Sequence, residues 1–280
     1  MIDRRPVAGP LSFPTLIGMR VLITGAARAI GEATANELTA RGHHVVATAR
    51  DAKLLDSVEA AQRLELDVRD DTSIRRALDE CGELDAIVNN AGISTKGPLE
   101  DYPLQRLQEA FDTNAIGPLR LLQPVLPSWR ARGSGVIVNV SSVQGRIPTP
   151  LEGAYAASKH ALEAISETLH HELGHFGIRV VIVEPGYIAP GMKDVGEHPG
   201  PGIYRDLWDQ WDNVSSTLTG PSGRSEPSIV ATAIADALED PHAPLRVEVG
   251  ADAQMVLAVR RQHDDASFEA TMRDTLGLTW

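Results

Sequence analysis

The chain of 280 residues holds one cysteine, Cys81. A single thiol closes neither an internal disulfide nor a cysteine-based zinc site, so a reducing compartment, the cytoplasm, is the expectation. Long apolar runs are missing as well. No stretch approaches the ~18 uninterrupted apolar residues that a membrane-spanning helix needs. Positive charge is scarce: 26 Lys and Arg stand against 38 Asp and Glu, a net charge of −12. That balance disfavours nonspecific binding to nucleic acid or to an anionic membrane. There is no internal repeat and no low-complexity tract. Arg4 and Arg5 lack the apolar run of an export signal behind them, because Pro6, Gly9, Pro10 and Pro14 interrupt it. Residues 1–18 read as an irregular leader or an over-extended start.

What the chain does have is alternation. Short β-branched runs lie at 20–25, 44–50, 64–68, 84–90, 135–142, 178–186 and 245–250. Helical stretches separate most of them, at 30–41, 51–61, 71–81, 103–131, 153–175 and 226–239. Strands alternating with helices give βαβ units, and near-continuous apolar strands suit a parallel sheet covered on both faces. The pattern predicts an α/β fold: a Rossmann-type, doubly wound parallel sheet of about seven strands with helices on both faces. Nothing before residue 186 resembles a linker, so residues 19–280 read as a single domain. Residues 187–225, dense in Gly and Pro, read as a substrate-loop insertion, and 251–276 as a tail of two helices. The insertion encloses an amphipathic stripe, Tyr204, Leu207, Trp208 and Trp211, at i, i+3, i+4 and i+7. Such a stripe serves either as packing against the domain or as an aromatic wall over an apolar substrate.

The stretch "VLITGAARAIG" is a strand, a tight turn and a helix start. Gly25 ends the strand and Gly31 opens the helix. A parallel α/β fold places a pyrophosphate here, against backbone N–H groups and the positive end of the helix. An NAD-type site ends its second strand in an acidic residue. This chain has Ala49 and Arg50 there, and Arg28 inside the turn. Two guanidiniums near the adenosine ribose suit a 2′-phosphate, so NADP(H) is preferred, with NAD(H) possible. Asp51 beside Arg50 clouds that preference, and Arg50 also fits a plain solvated strand end. Further along, Tyr155 precedes Lys159 by four residues, which on a helix puts phenol and ammonium on one face. An ammonium beside a phenol lowers a pKa that is ordinarily about 10.

Taken in order, these motifs resemble the short-chain dehydrogenase/reductase superfamily, in its single-domain NAD(P)-dependent branch. The resemblance covers about residues 19–250. It rests on "TGAARAIG", "LDV" (Asp67, Val68), "NNAG" (Asn89–Gly92), "FDTNAIGP" (Asn114), "VNVSS" (Ser142), "YAASK" (Tyr155, Lys159) and "EPGYI" (Ile188). It implies a cofactor site built from Gly25, Arg28, Ile30, Gly31, Arg50, Asp67, Val68, Asn90, Ala91, Gly92, Tyr155, Lys159 and Ile188, and no metal. It also implies a catalytic set of Asn114, Ser142, Tyr155 and Lys159. Tyr155 would be the general acid/base, Ser142 would hold the substrate oxygen, and Lys159 would bind the nicotinamide ribose. Asn114 would hold a water linking Lys159 to solvent.

Two positions depart from the family pattern. Ala29 replaces the usual glycine, with strain expected if the backbone needs φ > 0. Pro190 stands where a threonine often bonds the carboxamide, leaving that contact to backbone such as that of Ile188. The resemblance further implies a homodimer or homotetramer through 103–131 and 153–175.

The expected substrate is a lipophilic secondary alcohol or ketone, of steroid or retinoid type. A 3-ketoacyl-thioester reductase is the alternative enzyme, and a non-enzymatic NADP-binding sensor the alternative class. "HELGH" (His171–His175) matches the zinc-protease helix signature H-E-x-x-H, but Gly174 interrupts it and no third ligand suggests itself.

Overall fold

Seven strands pair side by side in the computed structural model: β1 (Arg20–Ile23), β2 (His44–Ala49), β3 (Gln62–Glu65), β4 (Ala86–Asn89), β5 (Gly135–Val140), β6 (Ile178–Pro185) and β7 (Arg246–Val249). The structure describes residues 18–94, 96–192, 200, 202–219 and 223–280. The expected leader, apart from Gly18, therefore lies outside the described residues, as do 193–199, 201 and 220–222 of the insertion. The strand order is β3-β2-β1-β4-β5-β6-β7, and each pairing is parallel. The order reverses between β1 and β4. In an open parallel sheet, that switch point opens a crevice at the carboxyl ends of the strands.

Period-two alternation explains why the strands read as unbroken apolar runs. Val21 and Ile23 of β1 face one layer, with Val45, Ala47, Val230 and Ile234. Leu22 between them faces the other, with Val46, Ile87, Ile137, Leu121 and Trp129. Helices α1 (Ala29–Ala40) and α8 (Pro227–Glu239) cover the first face. Helices α2 (Asp71–Cys81), α3 (Leu104–Phe111), α4 (Gly117–Leu122), α5 (Leu126–Arg132) and α6 (Gly153–Leu173) lie along the chain between β3 and β6. Of these, α2, α4, α5 and α6 send side chains into the second layer. Each fully buried Leu or Ile stabilises the fold by about 2 kcal/mol. The largest such side chain, Trp129, also donates from Nε1 to the Leu84 carbonyl at 2.7 Å.

Three expected elements differ in the structure. The helix expected at 51–61 is only a 3-10 turn, Ala52–Leu55. The Asp51 carboxylate accepts the Lys53 amide at 3.0 Å and starts a tight turn that does not propagate. The third strand lies at Gln62–Glu65 rather than 64–68, so Asp67 and Val68 fall past its end.

The helix expected over 103–131 is three pieces. A π-helical turn, Asp112–Ile116, joins α3 to α4. Pro124 and Pro127 separate α4 from α5, since proline lacks the N–H that a continuous helix needs. Gly174 ends α6 at Leu173 and starts a 3-10 turn, so His171 and His175 do not share a continuous α-helix.

The insertion contains α7 (Arg205–Thr219), and the tail contains α9 (Ala251–Gln262) and α10 (Asp265–Leu276). Trp211 and Val214 pack with Leu151, Leu276 and Leu278. Among the described residues no helix is long and apolar enough to cross a membrane.

Candidate active site

A cleft of about 1010 Å³ opens at the carboxyl ends of the strands, over the β1/β4 switch point. Its floor is the turn between β1 and α1. Gly25 holds φ +66°, and a Cβ there would sit 2.9 Å from the Ala91 Cα. Gly31 packs so closely that a Cβ would lie 2.6 Å from Asn90 Nδ2. Asn90 braces the turn, donating from Nδ2 to the carbonyls of Thr24 and Gly25 at 3.0 Å each. Thr24 Oγ1 accepts the amides of Asn90 and Ala91. No side chain caps α1, so its first-turn N–H groups are left for an anion. This cradle of glycines and uncapped amides fits the pyrophosphate of a dinucleotide.

Ala29 holds φ +48°. That is the left-handed region expected to strain a non-glycine residue, at a cost of about 1–2 kcal/mol.

The adenosine end differs in one respect from the sequence reading. Arg50 and Asp67 lie at the same edge of the cleft. Burial raises the Asp67 carboxylate, but bonds from Arg69 and the charges of Arg69 and Arg50 outweigh it and hold the pKa below its usual value. Arg28, expected to converge with Arg50, donates instead to the Gly191 carbonyl at 2.9 Å. Asp51, exposed, accepts the Lys53 amide on Oδ1.

At the other end stand the four polar groups named from sequence. Ser142 follows β5 and caps a short turn, its Oγ accepting the Gln144 amide at 3.1 Å. Tyr155, on the first turn of α6, lines the same cleft as Ser142, whose hydroxyl favours its ionised form. Lys159 stands one turn on, its Nζ 5.7 Å from the Tyr155 ring and donating to the Val140 carbonyl at 2.7 Å.

The electrostatics correct the sequence-based expectation of a lowered phenol. Burial pushes the Tyr155 pKa well above its ordinary value, and the Ser142 hydroxyl only partly opposes it. Burial likewise pulls Lys159 down to about 8, against the charge of Glu163. Desolvation wins because both groups are buried. Asn114 sits in the π-helical turn with its side chain engaged. Nδ2 donates to Ile93 O and Ser158 Oγ, and Oδ1 accepts the Ile93 amide. Ile188 is buried at the cleft, flanked by pairing of Tyr187 and Ala189 with Ser225.

Sequence reasoning missed two carboxylates. Glu152 lines the cleft, hydrogen-bonded by Gln144 Nε2 and by Thr149 Oγ1. Its position three residues before Tyr155 was the available signal. Asp252, at the start of α9, accepts the Tyr187 amide on Oδ2 at 2.6 Å; no motif marks it. Of the aromatic stripe, only Trp211 lines the cleft. Tyr204 donates to Glu100 at 2.6 Å, and Trp208 lies 4.6 Å beneath Lys96 Nζ. Among the described residues no group of three or more His, Cys, Asp or Glu side chains is arranged to hold a metal ion.

The comparisons agree with this geometry. The chain is 31% identical over 241 residues to an uncharacterized oxidoreductase of Schizosaccharomyces pombe, covering 82% of this chain and 98% of that one. It is 36% identical over 249 residues to human retinol dehydrogenase 8, covering 81% and 79% of the two chains. A crystal structure of a short chain dehydrogenase from Burkholderia cenocepacia in complex with NADP superposes with a TM-score of 0.73 at 25% identity, covering 95% of this chain and all of that one. The family model for short chain dehydrogenase matches residues 19–198, and the chain belongs to that family of oxidoreductases acting on CH–OH groups.

Proposed function

We propose that this chain is an NADP-dependent oxidoreductase for lipophilic secondary alcohols and ketones, and that Tyr155 carries the proton. Ser142 and the buried pair of Tyr155 and Lys159, together in a cleft whose other end is a turn fit for a dinucleotide, carry this reading. The residues fit the cofactor. Gly25, Ile30 and Gly31 would take the pyrophosphate. Arg50 and Arg28 would take the 2′-phosphate, Arg28 leaving Gly191 to do so. Asp67 and Val68 would meet the adenine, and Asn90, Ala91, Gly92 and Ile188 would line the path to the nicotinamide end. When bound, the cofactor supplies or accepts the hydride.

The chain's own groups handle the proton. The Tyr155 phenol, protonated at neutral pH even at its ordinary pKa of about 10, is pushed further that way by burial. A protonated phenol is ready to protonate the oxygen of a ketone under reduction. Ser142 Oγ–H donates to the same oxygen and holds it beside Tyr155. Lys159, charged below about 8, stabilises the phenolate left behind, and Asn114 supports the path by which the proton is restored. Trp211, Ile147 and Val256 give the substrate end an apolar wall. That composition, with the likeness to a retinol dehydrogenase, supports a lipophilic substrate.

The cytoplasm and a homodimer or homotetramer remain part of the proposal. Titration with NADPH and NADH, followed by quenching of tryptophan fluorescence, tests the cofactor. NADPH should bind at least ~10-fold tighter, about 1.4 kcal/mol. Equal affinity would remove Arg28 and Arg50 from the 2′-phosphate site.

A further inference from the structure

A buried cluster of charge lies behind the Ser142–Tyr155 pair. Glu184, near the end of β6, is fully buried, and Glu163, one turn past Lys159 on α6, is 4% exposed. Arg246 of β7 joins them, with Nε 3.2 Å from Glu184 Oε1 and Nη2 3.1 Å from Glu163 Oε2. It also pairs with Glu167. Arg146, in the turn after Ser142, places Nη1 3.3 Å from the same Glu184 oxygen. Glu184 Oε2, Glu163 Oε1 and Ser141 Oγ are buried without a hydrogen-bond partner among the described residues. Two of these meet at Gly145, where a Cβ would lie 2.6 Å from Ser141 Oγ and 3.0 Å from Glu163 Oε1.

Buried ion clusters stabilise a fold poorly, since desolvation offsets much of the attraction. What this one does is fix geometry. It ties together the turn that carries Ser142, the helix that carries Tyr155 and Lys159, and the strand end that leads to Ile188. We propose that Glu184 is a positioning residue: through Arg146 and Arg246 it holds the Ser142 turn against α6, so that Ser142 and Tyr155 keep their places in the cleft. This rests on the roles given above to Ser142 and Tyr155.

The charge state of Glu184 follows from its neighbours. Burial and the charge of Glu163 push its pKa up to about 7, against Arg146 and Arg246. Arg261, paired with Glu248, also feels it, and Glu163 in turn supports the charge on Lys159. Glu167 faces the cluster through Arg246. Above about 7, the carboxylate grips both guanidiniums; below it, the neutral acid lets go of Arg146, the more exposed partner. The Ser142 turn is therefore tight above about pH 7 and loosens as pH falls through that value.

Glu184→Gln keeps the shape and removes the titration; Arg146→Gln cuts only the tether to the Ser142 turn. Both should lower kcat ~10-fold with the KM for NADPH unchanged, the signature of a lost transition-state interaction. Glu184→Gln should also lose the acid limb of the kcat profile near pH 7. Amide hydrogen exchange across 141–147 should quicken in both variants, a readout that needs no substrate. Wild-type kcat with an unchanged acid limb and unchanged exchange in Glu184→Gln overturns the proposal. So does a fall in kcat that comes with an equal loss of NADPH affinity and faster exchange throughout the chain. Tyr155→Phe, run in parallel, separates the two readings. If it turns over like wild type, the role of Tyr155 fails, while exchange at 141–147 still decides that of Glu184.

Discussion

At the scale of single residues, desolvation governs the site. It pushes Tyr155 further towards its protonated form and weakens the charge of Lys159, whose pKa falls to about 8. The sign of the pH dependence follows. Lys159 is charged below that value and neutral above it, so ketone reduction should fall as pH rises through about 8. An initial-rate profile at saturating cofactor checks this, and a flat alkaline side would remove Lys159 from the step. Ala29 is a second residue with a readable cost. It holds φ +48° in the turn that would cradle the pyrophosphate. Ala29→Gly relieves that conformation and should stabilise the protein by up to ~1 kcal/mol. It should also tighten NADPH binding, and thermal melts with and without cofactor would show both.

At the scale of elements, the legible parts were those whose local pattern matched their burial. β1, β4, β5 and β6 sit within the sheet, covered on both faces, and their apolar runs stood out. The edge strand β3 did not, because its exposed residues alternate and only pairing with β2 fixes its register. The split of the expected 103–131 helix was written in Pro124 and Pro127, but the π-helical turn at Asn114 was not. It depends on contacts of Asn114 with Ile93 and Ser158, distant in sequence. The motifs named Ser142, Tyr155 and Lys159 and offered only the nearness of Glu152 to Tyr155, whereas Asp252 reaches the cleft through tertiary packing. Helix α7 presents Trp211 both to the cleft and to Leu151. Trp211→Ala should therefore destabilise the protein by about 3 kcal/mol. It should raise the KM for lipophilic ketones more than that for NADPH, which denaturant melts and steady-state kinetics would reveal.

At the scale of the whole molecule, the sheet brings the turn after β1, the proposed phosphate cradle, and Tyr155 of α6, the proposed proton donor, into one cleft. Exposed Leu104 and Ile116 lie on the segment proposed to pair between subunits. Sedimentation should show a dimer or tetramer, and Ile116→Glu should shift it towards monomer; a monomeric wild type would refute the pairing. The central claim is that Tyr155 transfers the proton at the reacting oxygen. The direct measurement is NADPH oxidation by wild type and Tyr155→Phe with one lipophilic ketone, alongside the NADPH affinity of each. The account predicts that Tyr155→Phe binds NADPH as wild type does and turns over ~10²–10⁴-fold more slowly, the usual range for losing a general acid. Turnover within a few-fold of wild type, at equal affinity, would contradict it.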